Sequence, residues 1–210
     1  KRGGLVSHRR LSNGDDKPYE LNISWWSAME DSSRDSNRFQ FERFILTQLL
    51  VMALKGVPAF YLPALLASEN DIKSFSLTGQ RRDLNREKFK LDNLLSVLNN
   101  TESNANKNLK NLRNAMDIRS ELKQFHPCSE MKCLSKGRSD IVVIKRSKGP
   151  ESVFAIHNMT ENKINYQLND NDLPKIIDND FNTQDFLTST KYNWKNISLD
   201  PFQVIWLSAL

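Results

Sequence analysis

The most regular helical pattern of the chain lies between residues 38 and 55. Five apolar side chains recur there at three- and four-residue spacing: Phe41, Phe44, Ile45, Leu49 and Met52. This spacing places them on one face of an α-helix. Gly56 and Pro58 follow in the order that ends helices. The pattern predicts a helix over Arg38–Lys55, with its N-cap among the polar residues of Asp31–Asn37.

Two later segments, Lys88–Leu98 and Leu109–Phe125, also carry an apolar face at helical spacing and predict helices. The polar stretch Asn99–Asn108 between them predicts an uncapped, mobile connection. Ser68–Arg86 is polar and rich in Asp and Arg, and we expect a loop there.

Val57–Leu66 is apolar at nearly every position and follows the first helix directly, which predicts a strand buried on both faces. Tyr19–Trp26 alternates apolar and polar residues and predicts a short strand. A helix followed by a buried strand is one step of a parallel sheet or barrel. One step cannot close a barrel, and the chain opens on Lys1 rather than Met, so we expect a piece of a longer protein.

The pattern changes after His126-Pro127. Short β-type runs separated by turn-like stretches follow: Ile141–Lys145, Ser152–His157, Lys163–Leu168 and Gln203–Leu207. This arrangement is typical of an antiparallel sheet or sandwich. We therefore predict an α/β segment over residues 1–127 and a small antiparallel β-domain over residues 128–210.

Composition argues against several classes of protein. The 30 basic and 25 acidic side chains leave a net charge of +5 that is spread along the chain, whereas nucleic-acid binders gather their charge with aromatics. No apolar run reaches the ~18–20 residues of a membrane span. Cys128 and Cys133 do not have the spacing of a zinc or redox pair, and the three histidines are isolated. We expect no metal, and two reduced thiols suit a reducing, cytoplasmic compartment.

Two short segments carry candidate chemistry. In Pro18–Asn22, Tyr19 stands beside Glu20, and an aromatic ring with a carboxylate is a common way to hold a sugar. The alternative is a plain strand start with an exposed Glu. In Arg82–Arg86, two guanidinium groups and one carboxylate lie within five residues. They form either an ion-pair web in a solvated loop or an arginine fork for a ligand oxygen.

These segments occur together in an order that resembles the sucrose phosphorylase-like enzymes of glycoside hydrolase family 13, the α-amylase superfamily. The resemblance is carried by the following segments: Tyr19–Trp26, the helix ending at Leu54, Gly56–Tyr61, Glu69-Asn70-Asp71 and Arg82-Asp83-Leu84-Asn85-Arg86. It is strong over residues 18–86 and weak over 128–200. The Arg-Asp-x-Asn-Arg block is the most specific part.

The resemblance implies that residues 1–127 are the C-terminal segment of a catalytic (β/α)8 barrel. It also implies an α-glucoside and inorganic phosphate as substrates, with α-glucose 1-phosphate as product and no further cofactor. Arg82 would bind the donor glucose, and Tyr19 and Glu20 would lie in a loop that contacts the acceptor sugar or phosphate. The nucleophile and the acid/base would precede Lys1, so the chain alone is expected to be inactive.

Glu20 marks a departure from the sucrose-specific members, which have Gln at this position. The form Pro-Tyr-Glu-Leu-Asn is more similar to members that act on glucosylglycerate or glucosylglycerol. Two alternatives stay open: a hydrolase or transglucosidase of the same superfamily, and a non-catalytic sugar-binding module built on residues 128–210. The aglycone and the oligomeric state are left open by the sequence.

Overall fold

The computed structural model describes residues 3–31, 37–135, 137–169, 171–172 and 182–209. It divides the chain into two compact units. Unit 1 comprises Lys1–Phe44 and Phe60–Lys110, and unit 2 comprises Ile45–Ala59 and Asn111–Leu210. Both helices and antiparallel strands are present, so the described chain is a mixed α/β structure with antiparallel sheets.

The elements of the first half of the chain are a hairpin followed by helices. Their bounds are β1 Leu5–Arg10, β2 Asp16–Asn22, α1 Trp25–Ala28, α2 Gln40–Ala53, α3 Leu62–Leu65, α4 Ile72–Thr78, a 3-10 helix over Arg81–Asn85, α5 Leu91–Asn99, α6 Asn104–Glu121 and a second 3-10 helix over Lys123–Phe125. The three predicted long helices correspond to α2, α5 and α6. Most of the predicted N-cap region of α2, residues 32–36, lies outside the described residues.

Three predictions for this half need correction. The strand predicted over Tyr19–Trp26 stops at Asn22, because Ser24 caps α1 by accepting a hydrogen bond from the Ser27 amide at 3.1 Å. The connection before α6 is capped, since Ser103 Oγ accepts from the Asn106 amide at 3.1 Å. The predicted loop over 68–86 contains α4 and a 3-10 helix.

The strand predicted over Val57–Leu66 is also wrong. In the part of the chain that the structure describes, no strand covers this range: α3 occupies its end and Val57 is 80% exposed. A strand exists only where neighbouring strands satisfy its backbone groups. Among the described residues no strand pairs with this segment, so its apolar composition alone does not produce a strand.

The core of unit 1 contains an aromatic cluster. The Trp26 ring lies 5.1 Å from the Phe44 ring and 6.3 Å from the Phe41 ring, both in edge-to-face geometry. Edge-to-face packing is favoured between aromatic rings. Trp26 follows β2 after three residues, so this cluster anchors the hairpin end that leads into α1.

Unit 2 contains the antiparallel strands of the second half of the chain. Its strands are β3 Glu130–Cys133, β4 Ile141–Lys148, β5 Glu151–Asn158, β6 Ile164–Tyr166, β7 Asn182–Gln184, β8 Lys191–Asn193, β9 Ile197–Leu199 and β10 Val204–Ala209. Four of them form one sheet in the order β10-β5-β4-β3, and β6 pairs with β9 and β7 with β8. The short strands β3, β7, β8 and β9 were not predicted.

Both faces of the central strand β5 are covered. On one face, Phe154 and Ile156 belong to an apolar core with Trp194 and Ile197. On the other, the neighbouring strand places Trp206 4.7 Å from the Phe125 ring of the second 3-10 helix. Unit 2 is therefore a sheet between a layer of short strands and a layer of helical segments.

Candidate functional site

The hairpin β1–β2 presents two of the predicted site residues, Tyr19 and Glu20. Ser7 pairs with Glu20 and His8 pairs with Pro18, so Tyr19 is an additional residue on β2 and forms a β-bulge. A bulge interrupts the ladder and redirects the side chains beside it. Tyr19 is 62% exposed. Its ring is therefore available to a ligand.

The third predicted residue, Arg82, lies on the 3-10 helix Arg81–Asn85. Local sequence places this helix: Asp71 caps α4 by accepting from the Ser74 amide, and Gly79 ends α4 at φ +69°, a conformation that favours glycine. Leu84 is buried, and its carbonyl accepts from the Asp71 amide at 2.7 Å. The turn that carries Arg82 is thus fastened at both ends of α4.

The structure brings Arg82 and Glu20 together. Arg82 Nε donates to Glu20 Oε2 at 3.2 Å, across 62 residues of sequence. The Arg82 side chain is 53% exposed and that of Glu20 30%. Among the described residues the Arg82 side chain makes no other polar contact, and this one engages only Nε. The two terminal NH2 groups keep their donors for a ligand.

Sequence reasoning missed Arg81, the residue before Arg82. Its Nη1 donates to the carbonyl oxygen of Val6 on β1 at 2.6 Å. Nothing in the local pattern distinguishes Arg81 from a solvated surface arginine, because its partner is 75 residues away. The contact becomes visible only when the hairpin and the 3-10 helix are placed.

Asn70 is a second residue whose role the sequence did not reveal. The side-chain Oδ1 of Asn70 accepts from the Ser24 backbone amide at 2.8 Å, and the backbone amide of Asn70 donates to Ser27 Oγ at 3.1 Å. Asn70 thus joins the segment after β2 to the segment before α4. Gly3 lies against it, since a Cβ on Gly3 would come within 3.0 Å of Asn70 Nδ2.

The electrostatics of the site combine the Arg82 guanidinium with the carboxylates of Glu20 and Asp71. The pKa of Asp71 is lowered, chiefly because the Ser74 side chain and amide hydrogen-bond to its carboxylate. Its carboxylate therefore acts as a helix cap rather than as an acid. Glu20 lies against Arg82, which offsets its charge. Arranged in this way, the residues can bind and orient a polyhydroxylated ligand, with an arginine fork, a carboxylate and an aromatic ring.

The described residues contain neither a group of side chains suited to a metal ion nor a helix suited to a membrane. Within the ranges that the structure covers, no three His, Cys, Asp or Glu side chains are arranged to hold a metal ion. No helix among them is long and apolar enough to cross a membrane. Cys128 and Cys133 are both exposed free thiols.

The fold of the chain is similar to parts of several solved enzyme structures. It is similar to part of a trehalose-6-phosphate hydrolase of Bacillus licheniformis, with a TM-score of 0.59 at 14% identity, covering 84% of this chain and 40% of the other. An α-amylase of Geobacillus thermoleovorans gives 0.59 at 16%, covering 80% and 33%. The sucrose 6F-phosphate phosphorylase of Thermoanaerobacter thermosaccharolyticum gives 0.56 at 19%, covering 75% and 29%.

The chain is also similar in sequence to parts of longer enzymes. A glucosylglycerate phosphorylase of Spirochaeta thermophila is 30% identical over 155 residues, which are 74% of this chain and 24% of the relative. One of Escherichia coli is 23% identical over 206 residues, which are 98% of this chain and 35% of the relative. The chain thus spans a quarter to a third of these relatives. No known protein-family model matches it. The predicted resemblance to sucrose phosphorylase-like enzymes is confirmed.

Proposed function

We propose that this chain is the C-terminal portion of a retaining α-glucoside phosphorylase that converts glucosylglycerate and inorganic phosphate to α-glucose 1-phosphate and glycerate. The proposal includes the assignment of residues 1–127 to a (β/α)8 catalytic domain and of 128–210 to a C-terminal β-domain. The observation that carries it is the contact between Arg82 and Glu20, two residues that the family resemblance assigns to one sugar site. The relatives named glucosylglycerate phosphorylase support the choice of substrate.

The charge of Glu20 fits an anionic acceptor only when a cation accompanies it. Two like charges at close range repel each other, and the repulsion strengthens where water is excluded. Arg82 Nε lies 3.2 Å from the Glu20 carboxylate and supplies that cation. The pair therefore offers glycerate hydroxyls a carboxylate acceptor, while the single positive charge of the guanidinium offsets the charge of Glu20 and reduces its repulsion of the glycerate carboxylate.

Retaining phosphorolysis needs two further carboxyl groups. One attacks the anomeric carbon and the other protonates the departing glycerate oxygen, and the two lie about 5–5.5 Å apart in retaining enzymes. Phosphate then attacks the glucosyl-enzyme and releases the first carboxylate. We assign neither role to an acidic residue of this chain. Its 210 residues bind and orient substrate in this proposal, and they are inactive alone.

The intact protein that carries this chain tests the proposal. Incubated with glucosylglycerate and phosphate, it should release α-glucose 1-phosphate, and omission of phosphate should abolish that product. Release of free glucose at an equal rate without phosphate would instead identify the hydrolase or transglucosidase alternative. Preference for sucrose over glucosylglycerate would reject the assigned aglycone.

We also propose a cytoplasmic location, supported by the two free thiols.

The burial of both tryptophans in residues 128–210 argues against the alternative of a sugar-binding β-module. Such a module binds sugars on exposed aromatic rings, and the two tryptophans of residues 128–210 are Trp194 and Trp206. They are 3% and 0% exposed. Both serve the core of unit 2.

Replacement of Arg82 by alanine should lower kcat/KM for phosphorolysis at least about a hundredfold, or roughly 2.7 kcal/mol of transition-state binding. The physical reason is the loss of a planar donor that orients the glucose. Steady-state kinetics of the intact protein measure the effect, with Arg113→Ala on the exposed side of α6 as a matched control. Wild-type kinetics in the Arg82 variant would remove Arg82 from the site.

Replacement of Glu20 by glutamine should change the acceptor preference while donor hydrolysis is largely retained. Glutamine keeps the shape but loses the charge that Arg82 balances, so acceptors that depend on a carboxylate partner should lose at least about fivefold in kcat/KM. Synthesis from α-glucose 1-phosphate with a panel of acceptors measures the change. An unaltered acceptor profile would exclude Glu20 from the site.

A further inference from the structure

Two consecutive arginines each contact one strand of the β1–β2 hairpin. Arg81 Nη1 donates to the Val6 carbonyl of β1 at 2.6 Å. Arg82 Nε donates to the Glu20 carboxylate of β2 at 3.2 Å. Both come from one turn of 3-10 helix. The hairpin is therefore linked to the helix that carries the sugar-binding arginine at one point on each strand.

The position of the Arg81 contact within the hairpin is specific. Val6 pairs with Leu21, and the next pair along the ladder is Ser7 with Glu20. The bulge at Tyr19 follows immediately. Arg81 thus holds the hairpin one residue pair from Glu20, on the side of the bulge where the ladder is still regular.

The hairpin needs such an external contact. A bulge leaves one residue unpaired and bends its strand, so pairing to β1 does not by itself determine where Tyr19 lies or how the strand continues beside Glu20. The Arg82–Glu20 ion pair is substantially exposed, and exposed ion pairs contribute little to stability. The Arg81–Val6 hydrogen bond is exposed as well, but a guanidinium bound to a main-chain carbonyl acts on the strand itself and does not depend on a flexible side chain at the other end.

We propose that Arg81 is a positioning residue of the acceptor site: it holds the hairpin so that Glu20 and Tyr19 stand at a set distance from Arg82. This inference rests on the proposed function, because the acceptor site is the one assigned above. Arg81 itself touches no substrate in this account. Its loss should alter acceptor binding rather than the chemical step.

Hydrogen exchange tests the structural half of this inference without any activity. In Arg81→Ala, backbone amides of residues 5–10, 16–17 and 19–22 should exchange about tenfold faster than in wild type, as expected for a segment that opens locally more often. Arg9→Ala, which removes an exposed guanidinium from β1 itself, is the matched control and should leave the exchange unchanged. Equal exchange in wild type and Arg81→Ala would overturn the inference.

Kinetics of the intact protein test the functional half. In the synthetic direction, from α-glucose 1-phosphate and glycerate, Arg81→Ala should raise the KM for glycerate about tenfold and change kcat less than about threefold. Arg81→Lys keeps a cationic donor and should recover most of the lost affinity. Faster exchange with an unchanged KM would show a purely structural contact and contradict the positioning role.

The two proposals fail in different ways. Absence of phosphorolysis and synthesis in the wild-type protein would reject the proposed function, and the exchange data would still report on the Arg81–Val6 contact. Wild-type activity combined with an unchanged glycerate KM in Arg81→Ala would leave the proposed function standing and reject the role of Arg81.

Discussion

Replacement of Arg146 by methionine should lower the free energy of unfolding of the chain by about 3–5 kcal/mol. The Arg146 side chain is completely buried on β4. Among the described residues no carboxylate pairs with it. Its charge is instead surrounded by main-chain carbonyl oxygens, and methionine would remove every hydrogen bond that the guanidinium donates to them.

Four main-chain carbonyls accept hydrogen bonds from this guanidinium. Nη1 donates to Ala53 and Leu54 at 3.1 and 2.9 Å, Nη2 donates to His126 at 2.9 Å, and Nε donates to Glu130 at 3.3 Å. Ala53 is the last residue of α2, where carbonyls have no partner within the helix. A cation there also interacts favourably with the helix dipole. Arg146 therefore joins β4 to the C-terminal end of α2.

A second arginine shares this task. Arg119 donates through Nε to the Met52 carbonyl at 3.0 Å and through Nη2 to the Gly56 and Phe125 carbonyls at 3.1 and 2.9 Å. The two guanidinium carbons lie 5.7 and 5.8 Å from the Phe125 ring centroid. Burial, together with the charge of Arg119, lowers the pKa of Arg146. It remains protonated because arginine starts far above neutral pH.

Urea unfolding measures the Arg146 effect as a change in midpoint and slope. Lys148→Met is the matched control, because Lys148 ends the same strand and is exposed, and it should change stability by less than about 0.5 kcal/mol. Arg146→Lys retains one charge but cannot reach four carbonyls, so an intermediate loss is expected. A loss below about 1 kcal/mol in Arg146→Met would show that water or other groups replace its hydrogen bonds.

Acidification should destabilise the chain through His157 by about 3 kcal/mol between neutral pH and pH 4. The His157 ring is fully buried on β5, and its Nδ1 lies 3.4 Å from the Val142 carbonyl oxygen. Burial lowers its pKa from 6.5 to about 4, partly opposed by hydrogen bonds to main-chain carbonyls. The native ring is therefore neutral where the unfolded ring is already charged.

The direction of this effect follows from proton binding. Between pH 6.5 and about 4 the unfolded chain binds more protons at His157 than the folded chain does, so stability falls as the pH falls. The contribution is fully present above pH 6.5 and is lost progressively down to about pH 4.

Asp185 acts in the opposite sense, because burial raises the pKa of its carboxyl. Its stability contribution is greatest at low pH and decreases as the pH rises.

His157→Gln isolates the histidine from these other groups. Glutamine does not titrate, so the difference in unfolding free energy between wild type and variant should shrink by about 3 kcal/mol as the pH drops from 7 to 4. Urea unfolding at several pH values measures it. A constant difference between wild type and His157→Gln would mean that His157 titrates normally in the folded chain.

Periodic patterns predicted the three longest helices and four of the strands of this protein. The five apolar positions between Phe41 and Met52 lie on α2, and the β-type runs after Pro127 correspond to β4, β5, β6 and β10. These features are local, since a helix or strand buries one face or both and its residue types follow that burial. Arg82 and Glu20 became candidate site residues because the short segments that contain them resemble those of a known family.

Only the tertiary structure decided which partners each residue meets. Val57–Leu66 has the composition of a buried strand but no strand beside it among the described residues. Arg81 and Arg146 look like ordinary surface arginines in sequence, yet they contact carbonyls 75 and 93 residues away. Hydrogen-bond partners at such separations depend on how elements pack, and packing does not leave a short-range period in the chain. The sequence by itself therefore determined the longest helices, the four longer strand runs and the chemical groups, and the tertiary structure determined the hairpin contact and the buried arginine caps.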